Sequence, residues 1–285
     1  MRRHPDWLKV KIGSGKNYSK MKSLLRNAKL HTICEEAKCP NIAECFGCGT
    51  SVFLILGDTC TRNCRYCNVK HGAPNPINYD EPIDIAESVK QLGLKYVVIT
   101  SVTRDDLSDG GSNIFYKTVI ETKKQNPNCK VEVLIPDFKG NIDSIKKVID
   151  SNPDVINHNI EVAEELFPTI RPEGNYNISL NLLKNIKKIN EKMLTKSGFM
   201  IGIGETKDQI IKTMKDLRKA EVDLLTIGQY LQPTKNHASI IKYYTPEEFE
   251  DFRKIALDFG FKHVESAPLV RSSYHAEKAV SFISS

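Results

Sequence analysis

The chain has 285 residues, and its content of 40% hydrophobic and 27% charged residues is ordinary for a globular enzyme with one large domain. No apolar run reaches the roughly 18 residues that a membrane span needs, and no apolar export signal stands near the start, so membrane and secreted classes are not indicated. Residues 1–30 carry nine basic side chains against one acid, which leaves the rest of the chain close to neutral and argues against a general nucleic-acid binder.

In chain order, residues 1–50 are basic and cysteine-bearing, and they lack the alternation of elements seen later. From residue 52 onward, continuously apolar runs alternate with amphipathic runs, which predicts a parallel sheet covered by helices. The predicted strands are 52–57, 96–100, 131–136, 155–162, 195–204 and 223–231. The predicted helices are 81–93, 113–125, 141–151, 178–192, 206–220 and 245–260.

These six strand–helix units predict an α/β fold, a partial (β/α)6-type TIM barrel. A doubly wound sheet is the alternative, but no dinucleotide-binding glycine fingerprint follows the first strand. We expect an N-terminal extension over 1–50 that carries cysteines, the barrel over 51–262, and a C-terminal segment over 263–285 that covers the barrel mouth. In such barrels the site lies at the carboxyl ends of the strands.

Three cysteines follow the first predicted strand, in the segment DTCTRNCRYCNVKHG (58–72). These loop cysteines, Cys60, Cys64 and Cys67, have C-x3-C-x2-C spacing, and thiolates select zinc, copper(I) or iron–sulfur clusters. With His71 as a fourth ligand, the segment could form a closed structural zinc site. A 4Fe-4S cluster held by three cysteines would instead leave one iron open for chemistry. The residues of the loop alone leave both interpretations open.

The loop and several other segments together resemble a known family. The pattern C-x3-C-x-aromatic-C, with Tyr66 as the aromatic residue, resembles the signature of radical S-adenosylmethionine enzymes. A second set, the N-terminal cysteines Cys34, Cys39 and Cys45, has C-x4-C-x5-C spacing and narrows the resemblance to the lipoyl synthase family. Similar segments cover nearly the whole chain: WLKVKI, SVTRDDLSDGG, EVLIPDFKG, NHNIEV, GIGET, LLTIGQYLQPT and RSSYHA.

The resemblance implies two 4Fe-4S clusters. The loop cysteines match the family's radical-generating cluster, whose open iron is chelated by S-adenosylmethionine. The N-terminal cysteines match an auxiliary cluster, whose fourth ligand in the family is the second serine of RSSY, here Ser273. The auxiliary cluster is taken to be the sulfur donor. Because a serine alkoxide is a harder ligand than a thiolate, we expect this corner of the cluster to be labile.

The implied reaction inserts two sulfur atoms at carbons six and eight of an octanoyl chain that is linked to a lysine of a carrier protein. These carbons carry no activating group, so hydrogen abstraction by a 5′-deoxyadenosyl radical replaces acid–base chemistry, and water must be excluded. The implied partners are an octanoylated glycine-cleavage H protein or a lipoyl domain of a 2-oxoacid dehydrogenase, an electron donor such as flavodoxin or ferredoxin, and an iron–sulfur carrier for cluster repair. Neither nucleic acid nor a membrane is implied, and a cytoplasmic location is expected.

Further positions match contacts of the superfamily to S-adenosylmethionine. They lie in the cysteine loop, near the end of the fourth predicted strand, and in the fifth strand with its turn: Tyr66, Asn159, Glu161, Arg171, Met200, Gly202 and Glu205. A tight strand-to-helix turn is the alternative interpretation of the GFMIGIGE segment. The Gly-Gly-Glu that usually follows the second strand is absent, and residues 101–104 stand in its place, which leaves the ammonium contact unassigned.

Two other functions compete with this interpretation. A sulfur-inserting relative such as a biotin synthase shares the barrel and the loop motif but lacks the N-terminal cysteines paired with RSSY. A zinc-stapled interaction or nucleic-acid module predicts a colourless protein that contains zinc and no iron. Cys48 is close enough in sequence to the N-terminal cysteines to compete for iron, and neither Cys48 nor Cys129 has an assigned role.

Overall fold

The computed structural model describes residues 5–9, 16–27, 30–47, 51–274 and 276, so Cys48 lies outside the described residues. Its strands are β1 His31–Thr32, β2 Val52–Ile55, β3 Thr59–Cys60, β4 Lys70–His71, β5 Tyr96–Ser101, β6 Lys130–Leu134, β7 Val155–Asn157, β8 Leu194–Ile201, β9 Leu224–Gln229 and β10 His263–Ala267. Its α-helices are α1 Lys16–Asn27, α2 Ile33–Glu36, α3 Ile42–Gly47, α4 Glu81–Leu92, α5 Ser112–Gln125, α6 Ile142–Asp150, α7 Phe167–Ile170, α8 Tyr176–Ile189, α9 Lys207–Lys219 and α10 Pro246–Asp258. Short 3-10 helices cover Asp6–Leu8, Phe138–Gly140 and Glu164–Leu166.

Eight of the strands form one sheet in the order β1-β2-β5-β6-β7-β8-β9-β10. Strand β1 runs antiparallel to β2, and each later pair of neighbours in this sheet is parallel. Because β1 and β10 stand at its two edges, the sheet is an open, partial barrel. The predicted partial α/β barrel is confirmed. All six predicted strands are present, and the largest difference is in the fourth, which ends at Asn157 rather than at residue 162.

Strand β10 is absent from the predicted elements. It pairs in parallel with β9, with His263 opposite Leu224. Within the strand only Val264 is buried, as is typical of a strand at the edge of a sheet. The sequence HVESA therefore lacks the continuous apolar run by which the central strands were predicted. The start of the predicted C-terminal segment thus continues the sheet.

The helices that cover the sheet begin and end at well-defined caps. Thr206 starts α9 with a capping box to Gln209, and Thr245 starts α10 with a capping box to Glu248. Gly93 ends α4 in the left-handed conformation, with φ of 64°. In the part of the chain that the structure describes, no helix is both long and apolar enough to cross a membrane.

A buried polar network links four neighbouring strands of the barrel. The Glu132 carboxylate on β6 accepts hydrogen bonds from Tyr96 Oη on β5 at 2.7 Å and from Asn157 Nδ2 on β7 at 2.9 Å. The Lys196 ammonium on β8 lies 3.1 Å from the same carboxylate. A buried charge is costly unless it is paired and hydrogen-bonded, so the network holds these strands in one relative register.

Candidate active site

A cavity of about 530 Å³ opens where the parallel strands of the sheet end. Its walls come from the segments that follow β5, β6 and β7, from the ends of β8 and β9, from the cysteine loop and from the C-terminal segment. All seven predicted cluster ligands line it: Cys34, Cys39, Cys45, Cys60, Cys64, Cys67 and Ser273. The fold therefore brings three segments that are distant in sequence to one space.

The cysteine loop is a compact turn that is tied to the end of β5. The Cys67 N–H donates to the Cys64 carbonyl at 3.0 Å, which folds the second half of the loop. The Thr61 N–H donates to the Thr103 carbonyl at 3.0 Å, and the Thr61 hydroxyl donates to the same carbonyl at 3.0 Å. Hydrogen bonds within the protein thus hold the loop over the strand ends.

The loop thiols lie in a poorly solvated environment. Burial raises the pKa of the Cys64 thiol to about 11 and that of the Cys67 thiol to about 12. The positive charge of Arg171 opposes the rise at Cys64. A thiol in such a place becomes a thiolate when a metal takes the place of its proton, so these groups suit metal ligation better than exposed nucleophilic chemistry.

Two short helices and the turn between them position the N-terminal cysteines. The Thr32 hydroxyl caps α2, which carries Cys34, and the Cys39 N–H donates to the Cys34 carbonyl at 3.0 Å. Burial raises the pKa of both of these thiols, and at Cys34 the nearby Cys39 adds to the effect. Cys45 lies on α3 and lines the cavity with them. The three thiols thus face one region of the cavity.

The C-terminal segment is fastened to the start of α3, the helix that carries Cys45. The Asn41 side-chain amide donates to the Leu269 carbonyl at 2.7 Å. The Tyr274 hydroxyl donates to the Glu44 carboxylate at 3.1 Å. Ser273 lies between these two attachments and lines the cavity. The position of the serine is therefore coupled to that of the cysteines.

Gly228 near the end of β9 allows the C-terminal segment to approach the barrel. A Cβ atom at this position would lie 2.1 Å from the Val270 carbonyl oxygen and 3.3 Å from Arg271 Nη1. A side chain here would therefore displace the backbone that leads to Ser273. The glycine lines the cavity itself.

Five of the seven predicted S-adenosylmethionine contacts line the same cavity: Tyr66, Asn159, Glu161, Arg171 and Met200. The oxygen of the Asn159 amide is buried and has no hydrogen-bond partner among the described residues, while its side chain hydrogen-bonds to Glu161. Glu161 has a φ of +73°, a strained conformation that is concentrated at functional sites. Burial raises the pKa of its carboxyl group. The cavity therefore contains polar groups that are available to a ligand.

Gly202 and Glu205 are not part of the cavity lining. The Glu205 carboxylate accepts hydrogen bonds from the Gly202 N–H at 2.6 Å and from the Ile203 N–H at 3.1 Å. Gly202 has a φ of +99°, and a Cβ there would lie 2.1 Å from Gln229 Nε2. The two residues build the tight strand-to-helix turn that the sequence offered as the alternative, and their role toward the cofactor stays a prediction.

The segment 101–104 ends β5 where Gly-Gly-Glu is usual in the superfamily. Ser101 and Thr103 line the cavity, and Ser101 Oγ is buried with no hydrogen-bond partner within the described residues. Arg104 turns away to pair with Asp106, with Nη2 and Oδ2 2.8 Å apart. The segment thus brings no carboxylate to the cavity, and the ammonium contact remains unassigned.

Several buried groups of the site were missed at the sequence level. Arg62, inside the cysteine motif, pairs with Asp105 at 2.7 Å and with Asp137 at 2.6 Å. His158 Nδ1 lies 2.8 Å from the Ile135 carbonyl, while Nε2 is buried with no partner among the described residues. Burial lowers the pKa of His158 to about 4. Two features of the sequence could have drawn attention to this pair: Arg62 stands within a cysteine motif, and Asp137 comes directly after an apolar predicted strand.

The alternative zinc site finds little support in the geometry. His71 stands opposite Cys60 in the β3–β4 pair, but its side chain is exposed and does not line the cavity. None of the seven described cysteines forms a disulfide. Over the described ranges, no three His, Cys, Asp or Glu side chains are arranged around one metal ion. The cysteines of a 4Fe-4S cluster each bind a different iron, so they do not need to converge on one point.

A buried carboxylate supports the backbone that leads into the cysteine loop. Leu56 and Gly57, at the end of β2, are both left-handed, with φ of 69° and 91°. The Leu56 N–H donates to the Glu81 carboxylate at 2.8 Å, and the Gly57 N–H also bonds to it. Burial raises the pKa of Glu81 from 4.5 to about 7. The folded state therefore binds this proton more tightly than the unfolded chain does.

The E81Q variant is expected to flatten the pH dependence of stability. In the wild type, the free energy of unfolding should fall as the pH rises from about 4.5 to about 7, by about 3 kcal/mol, because the folded state keeps its proton while the unfolded chain loses it. Glutamine stays neutral and retains an oxygen for the Leu56 N–H. Urea unfolding at several pH values measures the slope. E87Q, at an exposed position of the same helix, is the matched control, and an unchanged slope in E81Q would contradict the assignment.

Comparison with known proteins places the chain among established families. The sequence model described as "Radical SAM superfamily" matches residues 54–217, and that described as "N-terminal domain of lipoyl synthase of Radical_SAM family" matches residues 1–39. A lipoyl synthase of Rubrobacter xylanophilus is 51% identical over 274 residues, which are 96% of this chain and 85% of the relative. A lipoyl synthase of Caldicellulosiruptor bescii is 51% identical over 279 residues, with 98% and 96% coverage.

Solved structures with a similar fold are distant in sequence. Methylornithine synthase (PylB) superposes with a TM-score of 0.56 at 13% identity, over 89% of this chain and 79% of that one. Streptococcus suis SuiB bound to its precursor peptide SuiA gives a TM-score of 0.58 at 12% identity, over 90% and 58%. At this identity the likeness shows a common fold.

Proposed function

The chain belongs to the lipoyl synthase family of the radical S-adenosylmethionine superfamily, and on that premise we propose which of its residues perform the family's reaction. It is a sulfur-inserting radical enzyme that acts on a protein-bound octanoyl chain. Its cofactors are S-adenosylmethionine and two 4Fe-4S clusters. What remains to be assigned is the role of each residue in the cavity.

The loop cysteines hold the radical-generating cluster, and the N-terminal cysteines with Ser273 hold the auxiliary cluster. The observation that supports this division is that one cavity is lined by all seven side chains, which come from three separate segments. The donor set fits, because three thiols leave one iron open while three thiols and a hydroxyl complete four ligands. When bound, the radical-generating cluster would supply the electron that cleaves S-adenosylmethionine into methionine and a 5′-deoxyadenosyl radical, and the auxiliary cluster would supply the two sulfur atoms.

The other polar residues of the cavity orient S-adenosylmethionine. Arg171, a buried cation, pairs with the methionine carboxylate. Asn159 and Glu161 bind the ribose hydroxyls, a role supported by the unpartnered oxygen of Asn159. Met200 and Tyr66 border the nucleoside. Gly202 and Glu205 contribute through the turn that sets the end of β8.

The apolar part of the cavity receives the octanoyl chain. Leu54, Val102 and Ile135 are buried residues of its lining. An apolar wall binds a hydrocarbon chain and excludes water and other hydrogen donors from a carbon radical.

The carriers are the H protein or lipoyl domains, the reductant is a flavodoxin or ferredoxin, and an iron–sulfur carrier rebuilds the auxiliary cluster. The reaction takes place in the cytoplasm.

Metal analysis and turnover test this function. After anaerobic reconstitution, the protein is expected to contain about eight irons and about eight sulfides per chain. With dithionite, S-adenosylmethionine and an octanoylated carrier peptide, it should form the lipoyl peptide, methionine and 5′-deoxyadenosine. A hexanoylated peptide, which lacks carbon eight, is the matched control and should give no lipoyl product. Colourless protein that binds zinc alone would support the interaction-module alternative instead.

A further inference from the structure

The Asp137 carboxylate lies between two buried arginines. The Arg62 guanidinium donates two hydrogen bonds to this carboxylate, from Nη1 to Oδ2 at 2.6 Å and from Nη2 to Oδ1 at 2.7 Å. Arg171 Nη2 lies 3.8 Å from the same Oδ2. The exposed fractions of the three side chains are 4% for Arg62, 3% for Asp137 and 8% for Arg171, so water screens their interaction little.

Arg62 is part of the cysteine loop itself. It stands midway between Cys60 and Cys64, and its N–H lies 3.4 Å from Cys60 Sγ. Its guanidinium also pairs with Asp105 at 2.7 and 3.0 Å, so two carboxylates fix its orientation. Asp137 follows β6 and Asp105 follows β5, which means that the arginine fastens the loop to two strand ends. Bidentate arginine–carboxylate pairs add directional specificity as well as attraction.

Arg171 lies on the opposite side of Asp137. Its Nη1 donates to the Asn159 carbonyl at 3.3 Å, and its guanidinium stacks over the Phe167 ring at 5.5 Å. The positive charge also acts on Cys64 and Glu161, both of which line the cavity. Asp137 is therefore a physical link between the loop that carries the cluster ligands and a cation of the cofactor pocket.

We propose that Asp137 is a positioning residue that holds the cluster-binding loop and Arg171 at a fixed separation, so that one S-adenosylmethionine molecule can reach the open iron and Arg171 together. The inference rests on the proposed roles of the loop cysteines and Arg171. A ligand held at two points binds well only when the points keep the right distance, and small displacements weaken it strongly. A purely structural ion pair would change stability without changing affinity for the cofactor.

The D137N variant tests the inference. It removes the charge but keeps the shape of the side chain, so both arginines lose their shared partner. The matched control is D106N, the same substitution in a carboxylate that pairs with Arg104 rather than with Arg62 or Arg171. For each reconstituted protein, iron content and circular dichroism report loading and folding. The dissociation constant for S-adenosylmethionine is measured by equilibrium dialysis and by the change that the cofactor causes in the EPR spectrum of the reduced cluster.

In folded D137N with full iron content, the dissociation constant should rise by roughly tenfold or more, and in D106N by less than about threefold. Wild-type affinity in D137N would overturn the inference. Loss of the radical-generating cluster from folded D137N would assign the carboxylate to cluster retention alone and would also count against it. If D137N does not fold, the R62K variant is measured instead, because lysine keeps the positive charge but cannot form the two parallel hydrogen bonds of the guanidinium. Weaker cofactor binding is again expected, and unchanged binding refutes the link. Wild-type protein that holds iron but does not bind S-adenosylmethionine would refute the proposed function instead.

Discussion

Replacing Cys34, Cys39 and Cys45 with alanine is expected to abolish lipoyl formation while sparing the cleavage of S-adenosylmethionine. The two cysteine sets line one cavity, but they stand on separate supports. Helices α2 and α3 and the turn between them carry the first set, and the loop tied to Thr103 carries the second. On the proposed assignment, loss of the first set removes the sulfur donor and leaves the radical-generating cluster in place. Iron content should therefore fall from about eight to about four per chain.

The measurement separates the two half-reactions. Formation of 5′-deoxyadenosine with dithionite reports radical generation, and mass spectrometry of the octanoylated peptide reports sulfur insertion. C129A is the control, because Cys129 is also buried but does not line the cavity. It should keep all the iron and both activities. Full lipoyl yield from the triple variant would show that the sulfur comes from elsewhere.

The addition of a single methyl group at Gly228 is also expected to reduce lipoyl formation strongly. The new Cβ would lie 2.1 Å from the Val270 carbonyl oxygen, so G228A must push the C-terminal segment away from the barrel. Ser273 stands three residues after Val270, so it would be displaced from the part of the cavity that the N-terminal cysteines line. A displacement of about 1 Å at a reacting centre can reduce the rate by about a hundredfold, and we expect a loss of that order in lipoyl formation.

The control for G228A is G93A. Gly93 ends α4 with a φ of 64°, and a Cβ there would meet no atom within 4 Å. G93A should lower thermal stability, because a side chain is strained in this conformation by about 1 kcal/mol, but should leave lipoyl formation intact. Radical generation, measured as 5′-deoxyadenosine, should continue in G228A. If lipoyl formation in G228A matched the wild type, the close packing of the C-terminal segment would have no bearing on the reaction.

The sequence predicted the barrel well because its central strands are buried on both faces. Runs such as 52–57 and 96–100 are almost entirely apolar, and the local sequence pattern is enough to identify them as strands. β10 was missed because an edge strand keeps polar residues on its open side. The fourth strand was predicted too long because the apolar residues of 158–162 continue the pattern after the ladder ends.

The site could be predicted only where a motif carried it. Cysteine spacing and the C-terminal RSSY predicted the cluster ligands through resemblance, and the fold brings all seven of these residues to the lining of one cavity. The pairing of Arg62 with Asp137 joins residues 75 positions apart, and no local sequence pattern predicts it. The Glu205 carboxylate closes the turn after β8, and its predicted contact with the cofactor stays a prediction. Only the folded geometry shows these hydrogen bonds.

The hydrogen bond from Asn41 to Leu269 spans 228 positions of the chain and joins the two ends of the fold. A ribosome produces residue 269 only after every strand of the sheet has been made. The wall of the cavity that the C-terminal segment provides is therefore incomplete on a nascent chain. On the proposed assignment, the auxiliary cluster can acquire all four of its protein ligands only after every strand of the barrel has been translated.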